Sequence, residues 1–211
     1  INLLDTPGYA DFEGEVEAAM SVADLAVFVV SAVDGVQVST ELLWRTAAQR
    51  RLPRMVFVNK EDKDRADFHA VLASLTAAFG NGFAPLELPI GEPGGTRRSE
   101  PLPAEVADEE HRLHDALVEE IVAGDDEQLE RYLSGDALSV AELERTLRHE
   151  VLDCLEFPVL LGSAATGVGL DRLADFVCEL GPSPLDRPAT VIAGDELIEV
   201  PADKGAKPLL Y

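Results

Sequence analysis

The stretch that decides the fold is Arg54–Asp62, "RMVFVNKED". Met55–Val58 is a short, almost unbroken apolar run, as expected of a strand buried on both faces of a parallel sheet. It stops at once on Asn59-Lys60-Glu61-Asp62, an N-K-x-D sequence. Two other apolar runs end on similarly abrupt turns. Ile1–Leu4 runs into Asp5-Thr6-Pro7-Gly8, and Phe157–Leu161 runs into Gly162-Ser163-Ala164. Open α/β sheets place their ligands at the C-terminal ends of strands, where all three turns fall.

Working outward, apolar runs alternate with helical periodicity. Strands are expected at Ile1–Leu4, Leu25–Ala32, Met55–Val58, Pro85–Ile90 and Phe157–Leu161. Helices are expected at 12–22, 39–50, 65–79, 104–122, 126–134, 139–155 and 169–180, with Ser139 and Glu142 forming a capping box. The alternation predicts a doubly wound α/β domain. From Leu86 to Glu156 the rhythm breaks. A breaker cluster, "GEPGGTRRSEPLP", leads into acidic helices, which reads as an insertion between strand–helix units. The proline-rich "GPSPLDRPAT" after Leu180 reads as an exit toward a further segment.

Composition narrows the partners. The 211 residues carry 40 acids against 17 bases, a net charge of −23. Such a surface repels phosphate backbones and argues against direct DNA binding. No apolar run approaches the roughly 18–20 residues of a membrane span. The opening residues show no basic-then-apolar export signal, so a cytoplasmic protein with no membrane partner is expected. Cys154 and Cys178 lack metal spacing and read as buried, reduced thiols. His111 and His114 are one helical turn apart, with no third ligand in view.

The residue types in the three turns have a common chemistry. The Asp62 carboxylate suits the N1–H and N2–H₂ edge of guanine and rejects adenine, which lacks that donor pair. The Lys60 stem can lie along a base face. Small residues at Ser163 and Ala164 let a backbone N–H reach a base carbonyl. An acid at a strand end, Asp5, can hold Mg²⁺ through water, and Gly8 lets a backbone N–H approach a terminal phosphate. Each turn alone is also compatible with a plain loop. Their order and their placement after strands give the reading its weight.

Together the turns resemble the second half of a GTPase G domain. The sequences "DTPGYADFEGEVEAAMSVADLAVFVVSAVDGVQVST", "VNKEDKDRADF" and "GSAATGVGLDRLADFVCELGPSP" resemble translation elongation factor G. So does the helical "DEEHRLHDALVEEIVAGDDEQLERYLSGDALSVAELERTLRHEV", which matches that family's G-domain insert. The fold implied is a partial P-loop GTPase-type doubly wound sheet with an α-rich insertion. The parts are residues 1–85 (second switch and guanine-specificity loop), 86–156 (insertion), 157–185 (end of the G domain) and 186–211 (linker and start of another domain). The family's phosphate loop, G-x-x-x-x-G-K-[S/T], and its first switch have no counterpart here, which suggests a fragment with an unpaired sheet edge and weak nucleotide binding of its own.

The resemblance implies GTP or GDP with Mg²⁺ as ligands, bound by Asp5, Thr6, Pro7, Gly8, Tyr9, Asn59, Lys60, Glu61, Asp62, Ser163 and Ala164, with the metal at Asp5. The implied partners are the ribosome and, through Glu109, Glu110, Glu119 and Glu120, its large-subunit stalk protein. The family has a water-orienting histidine where this chain has Tyr9. A tyrosine hydroxyl reaches further and carries no positive charge, so hydrolysis is expected to be weakened. The alternatives are a GTP-responsive ribosome-binding factor that hydrolyses little, and a non-nucleotide α/β protein whose motifs coincide by chance. Asp11 is expected to cap the switch helix, and Phe12 to anchor it in the core.

Overall fold

The computed structural model describes residues 1–8, 10–89, 104–136, 138–193 and 196–200. The chain divides into two units, Ile1–Gly181 and Pro182–Tyr211. In the first unit four parallel strands form one sheet: β1 (Ala26–Ser31), β2 (Arg54–Asn59), β3 (Phe83–Pro85) and β4 (Phe157–Leu161), in the order β1-β2-β4-β3. The α/β class expected from the alternation is present. Its helices are α1 (Glu13–Met20), α2 (Val38–Gln49), α3 (Phe68–Phe79), α4 (Ala104–Ala123), α5 (Asp126–Leu133), α6 (Val140–Leu152) and α7 (Leu170–Leu180).

The sheet separates two apolar layers, as strand alternation requires. On one face Phe28, Val30, Val56, Val58, Phe157, Val159 and Leu161 pack with Trp44, Phe68, Val71 and Leu75 from α2 and α3. Trp44 lies at the centre of this layer. Its ring stacks on Phe79 at 4.7 Å and meets Phe28 and Phe157 edge-on at 4.9 and 5.0 Å. The buried Arg54 guanidinium lies 4.6 Å from the centre of the Trp44 ring and 4.3 Å from that of Phe157, so its charge is met by two aromatic faces. On the other face Met55 and Ala84 pack with Ile121, Leu147, Val151 and Leu180, which come from α4, α6 and α7.

Several expectations are corrected. Ile1–Leu4 is not a strand: Ile1, Leu3 and Leu4 are exposed, Leu3 at 91%. A strand needs a hydrogen-bonding neighbour, and none of the described strands lies beside these residues. The outer edge of β1 likewise has no partner among the described strands, and Val29 on it is 63% exposed. The expected strand Pro85–Ile90 moves upstream to Phe83–Pro85, because Gly82 accepts from the Phe157 N–H and sets the register there; Ile90 lies outside the described residues. Helix α3 starts at Phe68 rather than near Arg65, because Asp67 caps it by accepting from the Ala70 N–H at 2.9 Å.

Asp11 lies in a 3₁₀ turn (Ala10–Phe12) and does not cap α1, whose N-cap is Phe12 without a side-chain bond. Phe12 is 45% exposed and does not anchor the core. Cys178 is exposed, since α7 turns it away from the sheet; Cys154 is half-buried, and both are free. The Ser139–Glu142 capping box is present, with the Glu142 carboxylate accepting from the Ser139 N–H at 2.9 Å. In the second unit β5 (Ala189–Ala193) and β6 (Glu196–Val200) form an antiparallel hairpin that periodicity did not reveal.

Candidate functional site

The register of the parallel strands aligns the C-terminal ends of β1, β2 and β4. Ser31 lies opposite Asn59, and Val58 opposite Leu161. The loops that follow therefore emerge at one edge of the sheet. Two are the N-K-x-D loop and the Gly162–Ala164 loop, which the structure brings together. Asn59 Oδ1 accepts from the Ala164 N–H at 2.9 Å and from the Lys60 N–H at 2.8 Å. The Ser163 hydroxyl donates to Asp62 Oδ1 at 2.6 Å. The Glu61 N–H donates to the Gly162 carbonyl, and the Gly162 N–H to that of Val58. Residues about a hundred positions apart thus form one rigid clasp.

The clasp depends on local backbone choices. Lys60 takes φ 71°, left-handed and uncommon for a side chain with a Cβ. The amide oxygen of Asn59 fixes that turn. Gly162 is tightly enclosed: a Cβ there would collide with the Val168 carbonyl and the Phe57 ring. Ser163 is fully buried and pairs with Val168 through an isolated bridge. The Thr166 N–H also donates to the Ser163 hydroxyl oxygen at 3.3 Å. The only hydrogen of that hydroxyl is then free to point at Asp62.

The electrostatics favour an ionised Asp62. Lys63 Nζ lies 2.8 Å from Asp62 Oδ2, and this partner, followed by the Ser163 hydroxyl, holds the carboxyl below its ordinary range. Glu61 differs. It is buried, its Oε1 has no partner, and burial raises its pKa, with the Asp67 charge adding to the shift and His69 opposing it. Glu61 therefore points into the protein and supplies its backbone N–H to the clasp. Sequence reasoning missed Ser31 and Asp34, which lie at the same edge. The Asp34 carboxylate accepts from Ser31 Oγ at 2.8 Å and from Lys60 Nζ at 3.4 Å. The Asp34-Gly35 turn after a strand was the available signal.

Asp5, Thr6 and Gly8 are exposed and Pro7 is half-buried; a Cβ at Gly8 would meet nothing. Among the described residues, no hydrogen bond or ion pair joins them to the clasp. Tyr9 lies outside the described residues, as do the side chains of Glu109 and Glu110. Glu119 accepts from the Tyr132 hydroxyl at 3.4 Å, and Glu120 is exposed on α4. No group of acidic, histidine or cysteine side chains able to hold a metal is present among the described residues, His111 and His114 included. No helix among the described residues is long and apolar enough to cross a membrane.

Comparison with known proteins identifies the family and the fold. The family model described as "Elongation factor Tu GTP binding domain" matches residues 1–183. Elongation factor G of Mycoplasma pneumoniae is 36% identical, over 95% of this chain and 32% of that protein. Elongation factor G of Thermotoga maritima is 34% identical, over 89% of this chain and 30% of that protein. A crystal structure of a Thermus thermophilus protein superposes with a TM-score of 0.81 at 35% identity, covering 89% of this chain and 31% of that one. The chain therefore spans about a third of the length of these relatives. With a four-stranded parallel sheet, the clasp at its C-terminal edge and a family match over most of its length, the chain belongs to the elongation factor Tu GTP binding domain family.

Proposed function

We propose that this chain supplies the guanine-recognising part of a ribosome-acting, elongation-factor-G-like GTPase. The observation that carries the reading is the Asn59–Ala164 and Asp62–Ser163 clasp, which presents an ionised carboxylate at the sheet edge. Each carboxylate oxygen has two lone pairs, so Asp62 can keep Ser163 and Lys63 and still accept from the guanine N1–H and N2–H₂. The Lys60 stem covers one face of the base. Ser163 and Ala164 close its far edge, and Asn59, Lys60 and Glu61 hold the loop in shape. Adenine offers no matching donors, and its binding would leave Asp62 unpaired.

The Asp5–Gly8 turn is assigned to the phosphate end. Asp5 would hold Mg²⁺ through water, a fit to an ion that takes one or two carboxylates and completes its shell with phosphate and water oxygens. Bound there, the ion would neutralise phosphate charge. The Gly8 N–H, on a glycine whose Cβ position meets nothing, would donate to a terminal phosphate, while Thr6 and Pro7 would shape the turn. Tyr9 stands at the water-orienting position. Helices α4–α6 form the insertion, whose acidic residues Glu109, Glu110, Glu119 and Glu120 face the large-subunit stalk protein. The whole protein works in the cytoplasm, and loss of the terminal phosphate releases the switch and rearranges its domains on the ribosome.

Tyr9 also favours a second reading, a nucleotide-gated ribosome-binding factor with little hydrolysis. Phosphate release from GTP by the full-length protein, with and without ribosomes, decides between them. A strong ribosome-dependent burst is expected of a working GTPase. A flat trace with GTP bound supports the second reading, and Tyr9→His then restores release. Equal affinity for ATP and GTP would overturn both.

A further inference from the structure

At the sheet edge Asp34 and Asp62 pair with two lysines, and the structure sorts them; Arg65 adds a more distant positive charge near Asp34 and Asp64 a negative one near Lys63. Lys63 pairs with Asp62 at 2.8 Å, whereas Lys60 pairs with Asp34, 26 residues away in the chain, at 3.4 Å. Asp34 is a fixed acceptor. Ser31 Oγ donates to its carboxylate at 2.8 Å and accepts from the Asp34 N–H at 3.2 Å and the Val33 N–H at 3.3 Å, while the Gly35 N–H donates to the Ser31 carbonyl at 2.8 Å. Apart from Asp34, the partners of Lys60 among the described residues bond to its backbone: its N–H is held by Asn59 and its carbonyl accepts from the Lys63 N–H. Its side chain has four rotatable carbons and, in a chain of net charge −23, many acids to choose from. Pairing with Asp62 would bring the lysine head onto the carboxylate that guanine needs.

We propose that Asp34 is a positioning residue for guanine-nucleotide binding: held by Ser31, it draws the Lys60 ammonium away from Asp62 and sets the direction of the lysine stem. The inference rests on the guanine-binding reading above. It extends that reading to a residue outside the three motifs, on the turn after β1.

The test is equilibrium binding of fluorescent GDP to the full-length protein and to Asp34→Asn, Ser31→Ala, Lys60→Ala and the Asp34→Asn/Lys60→Ala pair, with thermal melts of each. Asp34→Asn is expected to weaken GDP roughly two- to fivefold, the range of a single partly exposed ion pair, with an unchanged melting temperature. Ser31→Ala, which frees the carboxylate but keeps its charge, should lose less in the same direction. In the Lys60→Ala background Asp34→Asn should cost nothing, because its effect passes through the lysine. Unchanged GDP affinity in Asp34→Asn overturns the inference, and so does an equal loss with and without Lys60. In both cases wild-type binding stands, which keeps the guanine reading. A wild-type protein that does not bind GDP overturns both.

Discussion

The two ends of the nucleotide reading behave differently in this fold. The N-K-x-D loop is bound on three sides: β2 lies between β1 and β4, Asn59 and Asp62 reach the Gly162–Ala164 loop, and Lys60 reaches Asp34. Asp5–Gly8 follows an exposed segment that joins none of the described strands. Both motifs are visible in the sequence, the N-K-x-D loop as the stronger signal. The difference lies in the support each receives. A motif becomes a shaped loop when neighbouring strands and loops fix its backbone, and the N-K-x-D loop is the part of the proposed site that these residues hold together themselves.

The sharpest way to break this contrast is to truncate one apolar side chain in each region. Leu160→Ala in fully buried β4 should cost about 2–5 kcal/mol of stability, whereas Leu3→Ala should stay within about 0.5 kcal/mol. Denaturant melts of the 211-residue chain would show it, and equal losses would mean that Ile1–Leu4 is packed after all. Next, Asp62→Asn in the full-length protein should weaken GDP roughly a hundredfold and favour xanthine nucleotides, whose C2 carbonyl suits an amide donor. A competition titration that found guanine still preferred would move specificity away from Asp62.

Asn59→Ala tests the clasp separately from base contact. It strips the acceptor from both the Lys60 and Ala164 N–H groups and should cost about 1–3 kcal/mol of stability. A melt unchanged from wild type would show the two loops held by the Ser163–Asp62 bond and the backbone bonds without Asn59.

A further effect concerns pH, and lies away from the site. Glu150 on α6 and Glu156 before β4 are buried, and each has a carboxyl oxygen without a partner. Burial, then the Glu120 charge, pushes Glu150 up to about 7. Burial, then Glu120 and Glu150, pushes Glu156 up to about 8. Both bind protons more tightly folded than unfolded. Their stabilising contribution is therefore complete below the ordinary value of 4.5 and is lost as pH rises through about 7 and about 8. The melting temperature should fall over that interval, and the double variant Glu150→Gln/Glu156→Gln should flatten the fall. A fall of the same slope in the variant would assign the dependence to other groups.

Much was legible along the chain. Met55–Val58 announced a central strand because a strand covered on both faces has no polar positions. Ser139 and Glu142 announced a helix start because a capping box is a local structure. The errors came where a neighbour decided the outcome. Ile1–Leu4 has the composition of a strand and lacks a partner among the described strands. Pro85–Ile90 has the apolar run, but pairing with Phe157 fixed the strand at Phe83–Pro85. Cys178 has the chemistry of a core residue and lies on the open side of α7.

The sequence by itself determined the α/β class and the N-K-x-D and Gly162–Ala164 loops, because periodicity and turn chemistry act over a few residues. Only the tertiary structure decided that Asn59 is a fastener between loops, that Glu61 turns inward, and that Lys60 belongs to Asp34 while Lys63 belongs to Asp62. The Asn59–Ala164 and Lys60–Asp34 contacts depend on which strand ends the sheet sets side by side, since residues 105 and 26 positions apart meet only through that register.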